Sequence, residues 1–180
     1  MAVHRAIVLV RGINVGSNRK VPMAQLRALC EAAGCSGVRT YIQSGNVVLD
    51  TSMSDSDLAE AVADGIEAGF GFRVAVMVRR LSELRRVLDS RPFGDVDEGL
   101  VHVGFLGAKP TAAALSGLQG VDFAPERFAV SGKQLFLYLP NGLGHSKMMR
   151  SVPFERRLGV DVTMRNWRTV TALYNLAKDA

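Results

Sequence analysis

The chain has 180 residues, of which 48% are hydrophobic and 22% charged, the composition of a soluble globular protein with one ordinary domain or two small ones sharing a core. No apolar run approaches the roughly 20 residues that span a bilayer, and Arg11 interrupts the first apolar stretch before it could form a signal-peptide core, so the expectation is a cytoplasmic protein with no membrane partner. The net charge of +5 is unevenly placed: residues 1 to 49 carry six Lys/Arg against one acid, residues 50 to 140 nine against thirteen, and residues 141 to 180 seven against three. Two basic ends around an acidic middle would make one positive face if the ends meet, a place for nucleic acid, nucleotide or another anion.

Ala6 to Val10 is a short apolar, partly β-branched run that reads as a buried strand. It leads into Arg-Gly-Ile-Asn-Val-Gly-Ser-Asn-Arg-Lys, residues 11 to 20, and Pro22 then suits the first turn of a helix. Met23, Leu26, Leu29, Cys30 and Ala33 recur at helical spacing up to Gly34. Val38 to Gln43 and Val47 to Asp50 read as a hairpin around Ser44-Gly45-Asn46. Ser54 and Asp57 form a weak capping box ahead of a helical ladder of Leu58, Val62, Ile66 and Phe70. In Arg73 to Arg79 the valines 74, 76 and 78 alternate with Arg73, Ala75 and Met77, a strand buried on one face, and Ser82 is placed to cap a short helix closed by Pro92.

This order is βαββαβ plus a helix, the split βαβ arrangement of a ferredoxin-like module, and the second half repeats it. Leu100 to Leu106 is a strand, Thr111 to Leu118 a small helix, Arg127 to Val130 and Gln134 to Leu139 a hairpin around Ser131-Gly132. Ser146 to Leu158 is a helix bent or broken at Pro153, Val160 to Thr163 the last strand, and Asn166 to Lys178 the closing helix. The fold class is therefore α+β, two ferredoxin-like subdomains packed together, 1–92 and 93–180, with the acidic stretch Phe93 to Gly99 as their boundary. The duplication rests on element order, since the halves share no residue-by-residue similarity.

Three segments together carry a family resemblance: R-G-I-N-V-G at Arg11 to Gly16 with K-V-P-M at Lys20 to Met23, T-Y-I-Q-S-G-N-V-V at Thr40 to Val48, and T-x-R-N-W-x-T-V at Thr163 to Val170. The chain resembles, over nearly its whole length, the bacterial domain-of-unknown-function family numbered sixteen ninety-seven. The resemblance implies two ferredoxin-like subdomains and no established activity, substrate or cofactor. Met164 departs from the small or polar residue expected before Arg-Asn-Trp.

In the opening loop, Gly12 and Gly16 free the backbone to bend while Arg11, Asn14, Ser17, Asn18, Arg19 and Lys20 offer donors ahead of a helix, which suits phosphate or carboxylate. The spacing is not that of a Walker A loop, which excludes that route to NTP hydrolysis. The competing reading is a solvated crossover whose Asn14 bonds its own backbone. Tyr41, Gln43, Ser44 and Asn46 add hydroxyls and amides at one hairpin end, where Asn46 could equally pin the turn. Gly142-Leu-Gly-His-Ser146-Lys147 is a second strand-to-helix link, with Ser146 suited to an N-cap, and Arg165 and Asn166 lie at the mouth of the last helix, Asn166 as a cap. Trp167 reads as core.

The expected ligand-binding set is thus Arg11, Asn14, Lys20, Ser44, Asn46, Ser146, Lys147, Arg165 and Asn166 around a small anionic ligand. No complete catalytic constellation is present and Ser44 has no base near it in sequence, so whether the protein is an enzyme is left open, with no cofactor expected. Cys30 and Cys35 are expected to stay reduced, and His4, His102 and His145 are too scattered for a metal site. Nucleic-acid binding on a sheet face is the second reading, weakened by strands bearing Val47, Val48 and Leu49 in place of stacking aromatics. A structural or interaction module without a ligand is the third.

Overall fold

The computed structural model describes residues 2–179. The chain divides into two compact units, Met1–Arg86 with Thr171–Ala180, and Val87–Val170, so the last residues, which element order groups with the second half, join the first unit.

In the first unit β1 (His4–Val10), α1 (Met23–Ala32), β2 (Ser36–Tyr41), β3 (Asn46–Thr51), α2 (Asp55–Phe70) and β4 (Val76–Arg80) follow one another. The sheet order is β2-β3-β1-β4 with every neighbour antiparallel. Ala6, Val8 and Val10 point from β1 into a core with Val47, Leu49 and Val78 from the sheet, Leu26 and Cys30 from α1, and Leu58, Val62 and Ile66 from α2. Ile7 and Leu9, on the other face of β1, are fully buried as well. Two-sided burial explains why β1 reads as a continuous apolar run rather than an alternating one. α2 starts as the capping pattern predicts, with the Ser54 hydroxyl accepting the Asp57 N–H and two acids in its first turn, and ends at Gly71 in the left-handed region. Arg5 forks onto Asp50, Nε to Oδ1 at 2.6 Å and Nη2 to Oδ2 at 2.9 Å, and its Nη1 donates to the Ala177 carbonyl at 3.2 Å.

Two expectations change here. The strand read as Arg73 to Arg79 is Val76–Arg80, and Arg79 is only 2% exposed rather than on a wet face, because the side of β4 opposite α1 and α2 is covered too. Its guanidinium donates to the Val78 carbonyl, and burial pulls its pKa down. Ser82 does not cap: α3 (Leu81–Asp89) begins as soon as β4 ends, and the Glu83 carboxylate reaches back to accept the Arg80 N–H at 2.8 Å.

The second unit contains β5 (Val101–Leu106), α4 (Ala112–Ser116), β6 (Arg127–Ser131), β7 (Gln134–Tyr138), α5 (Lys147–Ser151), α6 (Phe154–Leu158) and β8 (Val162–Asn166), in sheet order β6-β7-β5-β8, again antiparallel. Leu106, Leu135 and Leu137 pack under Met148, Val152, Phe154 and Leu158. The break at Pro153 separates α5 from α6, as a residue without an N–H requires. The last strand runs further than Val160 to Thr163, through Asn166, and passes straight into α7 (Trp167–Lys178).

Bonds at one sheet end repeat between the units. Val10 N–H bonds Gly45 O and Arg11 N–H bonds Ala75 O; correspondingly Leu106 N–H bonds Lys133 O and Gly107 N–H bonds Asp161 O. In the same register Arg79 lies opposite Ile7 and Arg165 opposite Val103. The halves therefore correspond position by position along these strands although few side chains are shared, the buried Arg79 and Arg165 among them.

α1 and α2 touch where Gly65 meets Leu29: a Cβ at position 65 would lie 2.7–2.8 Å from three Leu29 side-chain carbons. Gly65→Ala would gain about 1 kcal/mol of helix propensity, yet overpacking of about 1–3 kcal/mol opposes it. The expected result in urea denaturation is a net loss of stability, relieved when Leu29→Ala is added, so that the two changes are non-additive. An additive pair would contradict the contact.

Candidate functional site

The loop from Arg11 to Lys20 and the hairpin turn between β2 and β3 are held together in the first unit by one side chain. Asn14 donates from Nδ2 to Val21 O and to Gln43 O, both at 2.8 Å, and its Oδ1 accepts the Val21 N–H at 2.9 Å. Its own N–H closes the loop onto Arg19 O at 3.0 Å. Gly45 sits beneath the junction at φ 75°, where any Cβ would lie 2.8–2.9 Å from Ile13 and Val10. Among the described residues three non-glycines have positive φ, Asn14 (57°), Arg19 (54°) and Ile42 (49°), and all three lie on these two segments. Asn tolerates that region; for a β-branched Ile it stores on the order of 1–3 kcal/mol of strain.

The cluster is positive and partly apolar at its surface. Residues 1 to 30 contain no carboxylate. Arg19 lies over the Phe72 ring, 6.0 Å from its centroid. Exposed Lys20 has no hydrogen-bond or ion-pair partner among the described residues. Three other cations of the unit are ion-paired: Arg5 with Asp50, Arg73 with Asp64 and Glu67, Arg80 with Asp55. Val15 and Ile42 are 71% and 53% exposed. Asn46, by contrast, is fully buried, donating to Tyr41 O at 3.1 Å and Ser44 Oγ at 2.8 Å, so both asparagines serve the backbone.

Equivalent connections in the second unit are shorter. β1 reaches α1 through residues 11–22, whereas β5 reaches α4 through 107–111; the β2–β3 turn is 42–45, whereas the β6–β7 turn is 132–133. The same strand ends are thus joined without the additional residues, and the strained positions fall on the longer versions.

Of the remaining candidates, Ser146 and Lys147 surround an internal anion. Ser146 Oγ donates to Glu126 Oε2 at 2.8 Å, and the backbone N–H groups of Lys147 and Met148 donate to Oε1 at 3.0 Å and Oε2 at 2.9 Å. Ser146 Oγ also accepts the Met149 N–H, the expected N-cap. Burial alone would raise the Glu126 pKa, but the bonds from Met148, Ser146 and Lys147, with the charge of Arg150, hold it below its ordinary value of 4.5. Sequence reasoning passed over Glu126 because nothing near it in the chain marks its partner twenty residues on. Arg165 is buried on β8 rather than at an open helix mouth, donating to Thr163 Oγ1 at 2.9 Å and Met164 O at 2.8 Å, with burial pushing its pKa down to about 10. Asn166 caps α7, its Oδ1 accepting the Thr169 N–H at 2.8 Å.

Both thiols are buried and free; burial pushes the Cys30 pKa up to about 12 and raises that of Cys35. Among the described residues no three His, Cys, Asp or Glu side chains gather as a metal site would need, and no helix is long and apolar enough to cross a membrane.

The family model described as "Protein of unknown function (DUF1697)" matches residues 3–136, well over half of the chain. The chain belongs to this family. Both segments of the loop cluster fall within the matched region. The conserved bacterial protein SP0830 from Streptococcus pneumoniae is similar in structure, with a TM-score of 0.75 and 24% identity over 98% of this chain and 99% of that one, a likeness of fold. No curated protein matches the chain in sequence.

Asn14→Ala removes three hydrogen bonds and puts Ala in the left-handed region. A loss of about 2–4 kcal/mol is expected in thermal denaturation, with Asn14→Gly losing about 1 kcal/mol less. Equal losses would mean that φ at this position carries no strain. For Glu126, a folded pKa below the ordinary value means stability that is complete above about pH 4.5 and lost as pH falls through the depressed value. Glu126→Gln is therefore expected to lower stability by about 1–3 kcal/mol at pH 7, with wild type and variant converging in melting scans as the pH falls through the depressed value. A gap that persists into acid would contradict the charged bond set.

Proposed function

We propose that the protein binds a small phosphate- or carboxylate-bearing ligand on the loop cluster of its first unit, each unit being a ferredoxin-like βαββαβ module. Arg11, Arg19 and Lys20 supply positive charge, Ser44 supplies a hydroxyl at the turn, and Asn14 and Asn46 act as positioning residues. The observation that carries this reading is the pair of lengthened connections: the same strand ends are joined more briefly in the second unit, so folding does not require the longer ones. Backbone strain, the cations Arg19 and Lys20 and a stretch of chain without a carboxylate coincide on that additional length. The reading uses neither Ser146 and Lys147, whose hydroxyl and backbone N–H respectively hold Glu126, nor Arg165 and Asn166 on β8.

Three cations suit a small ligand better than a long polyanion, whose binding would collapse steeply with salt. A ligand at a hundred times its Kd contributes about 2.7 kcal/mol, which for a chain of this size raises Tm by roughly 5–10 °C. Thermal scans against inorganic phosphate, sugar phosphates, nucleotides and dicarboxylates should find at least one member producing such a shift. Arg19→Ala with Lys20→Ala should remove it while leaving the ligand-free Tm within about 1–2 °C. A panel that leaves Tm unmoved, or a shift that survives in the double variant, would refute the reading.

A further inference from the structure

Two apolar side chains on the same loops go unused by the fold. Four large hydrophobic residues are well exposed among the described ones, Val3, Val15, Ile42 and Leu143, and the loop cluster holds two of them. Val15 follows Asn14 and Ile42 precedes Gln43, the two residues joined by the Asn14 Nδ2 bond to Gln43 O. Ile42 is the more telling. Its φ of 49° is one that Gly or Asn adopts readily and a β-branched residue does not, and the shorter turn of the second unit places Gly132 at φ 58°. Turn geometry therefore disfavours Ile at 42, and at 53% exposure core packing does not account for it either. What an isoleucine offers there is an apolar surface facing outward, next to a turn whose opposite loop carries Arg19 and Lys20.

Resting on the reading above, we infer that the ligand joins a phosphate to a planar or apolar group, as a nucleoside monophosphate does, the phosphate meeting the cations of the opening loop and the base lying against Val15 and Ile42. Charge complementarity fixes one end of this ligand and the exposed aliphatic pair the other. Phosphate or a sugar phosphate would satisfy the first end and leave the second wet. A bare nucleoside would do the reverse.

Calorimetric titration of the full chain with the common nucleoside 5′-monophosphates, ribose 5-phosphate, inorganic phosphate and adenosine tests this. At least one nucleotide is expected to bind on the order of ten-fold or more tighter than ribose 5-phosphate, the range that apolar contacts confer. Ile42→Asn suits the positive φ and so keeps the turn; it should bring that nucleotide down to the affinity of ribose 5-phosphate and leave ribose 5-phosphate unchanged. Val15→Ser should act in the same direction. If ribose 5-phosphate binds as tightly as every nucleotide and Ile42→Asn alters neither, the nucleotide inference is wrong while anion binding stands. If none of the four kinds of probe binds, the nucleotide inference falls, and anion binding falls with it when the dicarboxylates of the thermal panel also leave Tm unmoved.

Discussion

Polar chemistry in the first unit is confined to strand ends because its central strand is closed to water on both sides. Ala6 to Val10 bury every side chain, so nothing along β1 can meet a ligand without dismantling the core. The backbone must emerge somewhere, and it does so at Arg11, where the first polar loop begins. The same closure accounts for Arg79: on a sheet with one wet face that side chain would reach solvent, whereas here it bonds the Val78 carbonyl from within. Arg165 holds the corresponding register position in the second unit and behaves likewise.

Much of this was legible in the residues. The apolar run of β1, the Ser54 cap, the hairpin at Ser44-Gly45-Asn46, the break at Pro153 and the Asn166 cap each have a local cause, namely side-chain period, a donor two or three residues away, or a missing N–H. Asn46 was readable as pinning its turn for the same reason, whereas Asn14, read as bonding its own backbone, reaches on to Val21 and across to Gln43. What escaped local reading depends on distant neighbours. Arg79 looks like a surface residue until the far side of β4 is known to be covered, and β8 extends to Asn166 because its pairing with β5 continues where apolar alternation has stopped. Ser82 lost the helix start to Glu83, a longer side chain able to reach back to the Arg80 N–H.

The resemblance between the halves is of the same non-local kind. No alignment of side chains reveals it, yet matching N–H to carbonyl bonds leave β1 and β5 at equivalent places. A backbone pattern persists under substitution because each of its bonds involves atoms common to all residues, the proline N–H apart. That correspondence turns one half into a reference for the other, distinguishing what the architecture demands from what has been added to it.

Glu126 illustrates the other way in which a glycine-bearing, strand-to-helix link can be occupied. Its carboxylate is tethered to the chain it serves, so it stands before the Ser146 hydroxyl and the following amides at an effective concentration on the order of millimolar or above. A dissolved phosphate entering there would have to evict a resident that never diffuses away. The link beginning at Gly142 is in this sense self-saturated, a lock with its key already turned.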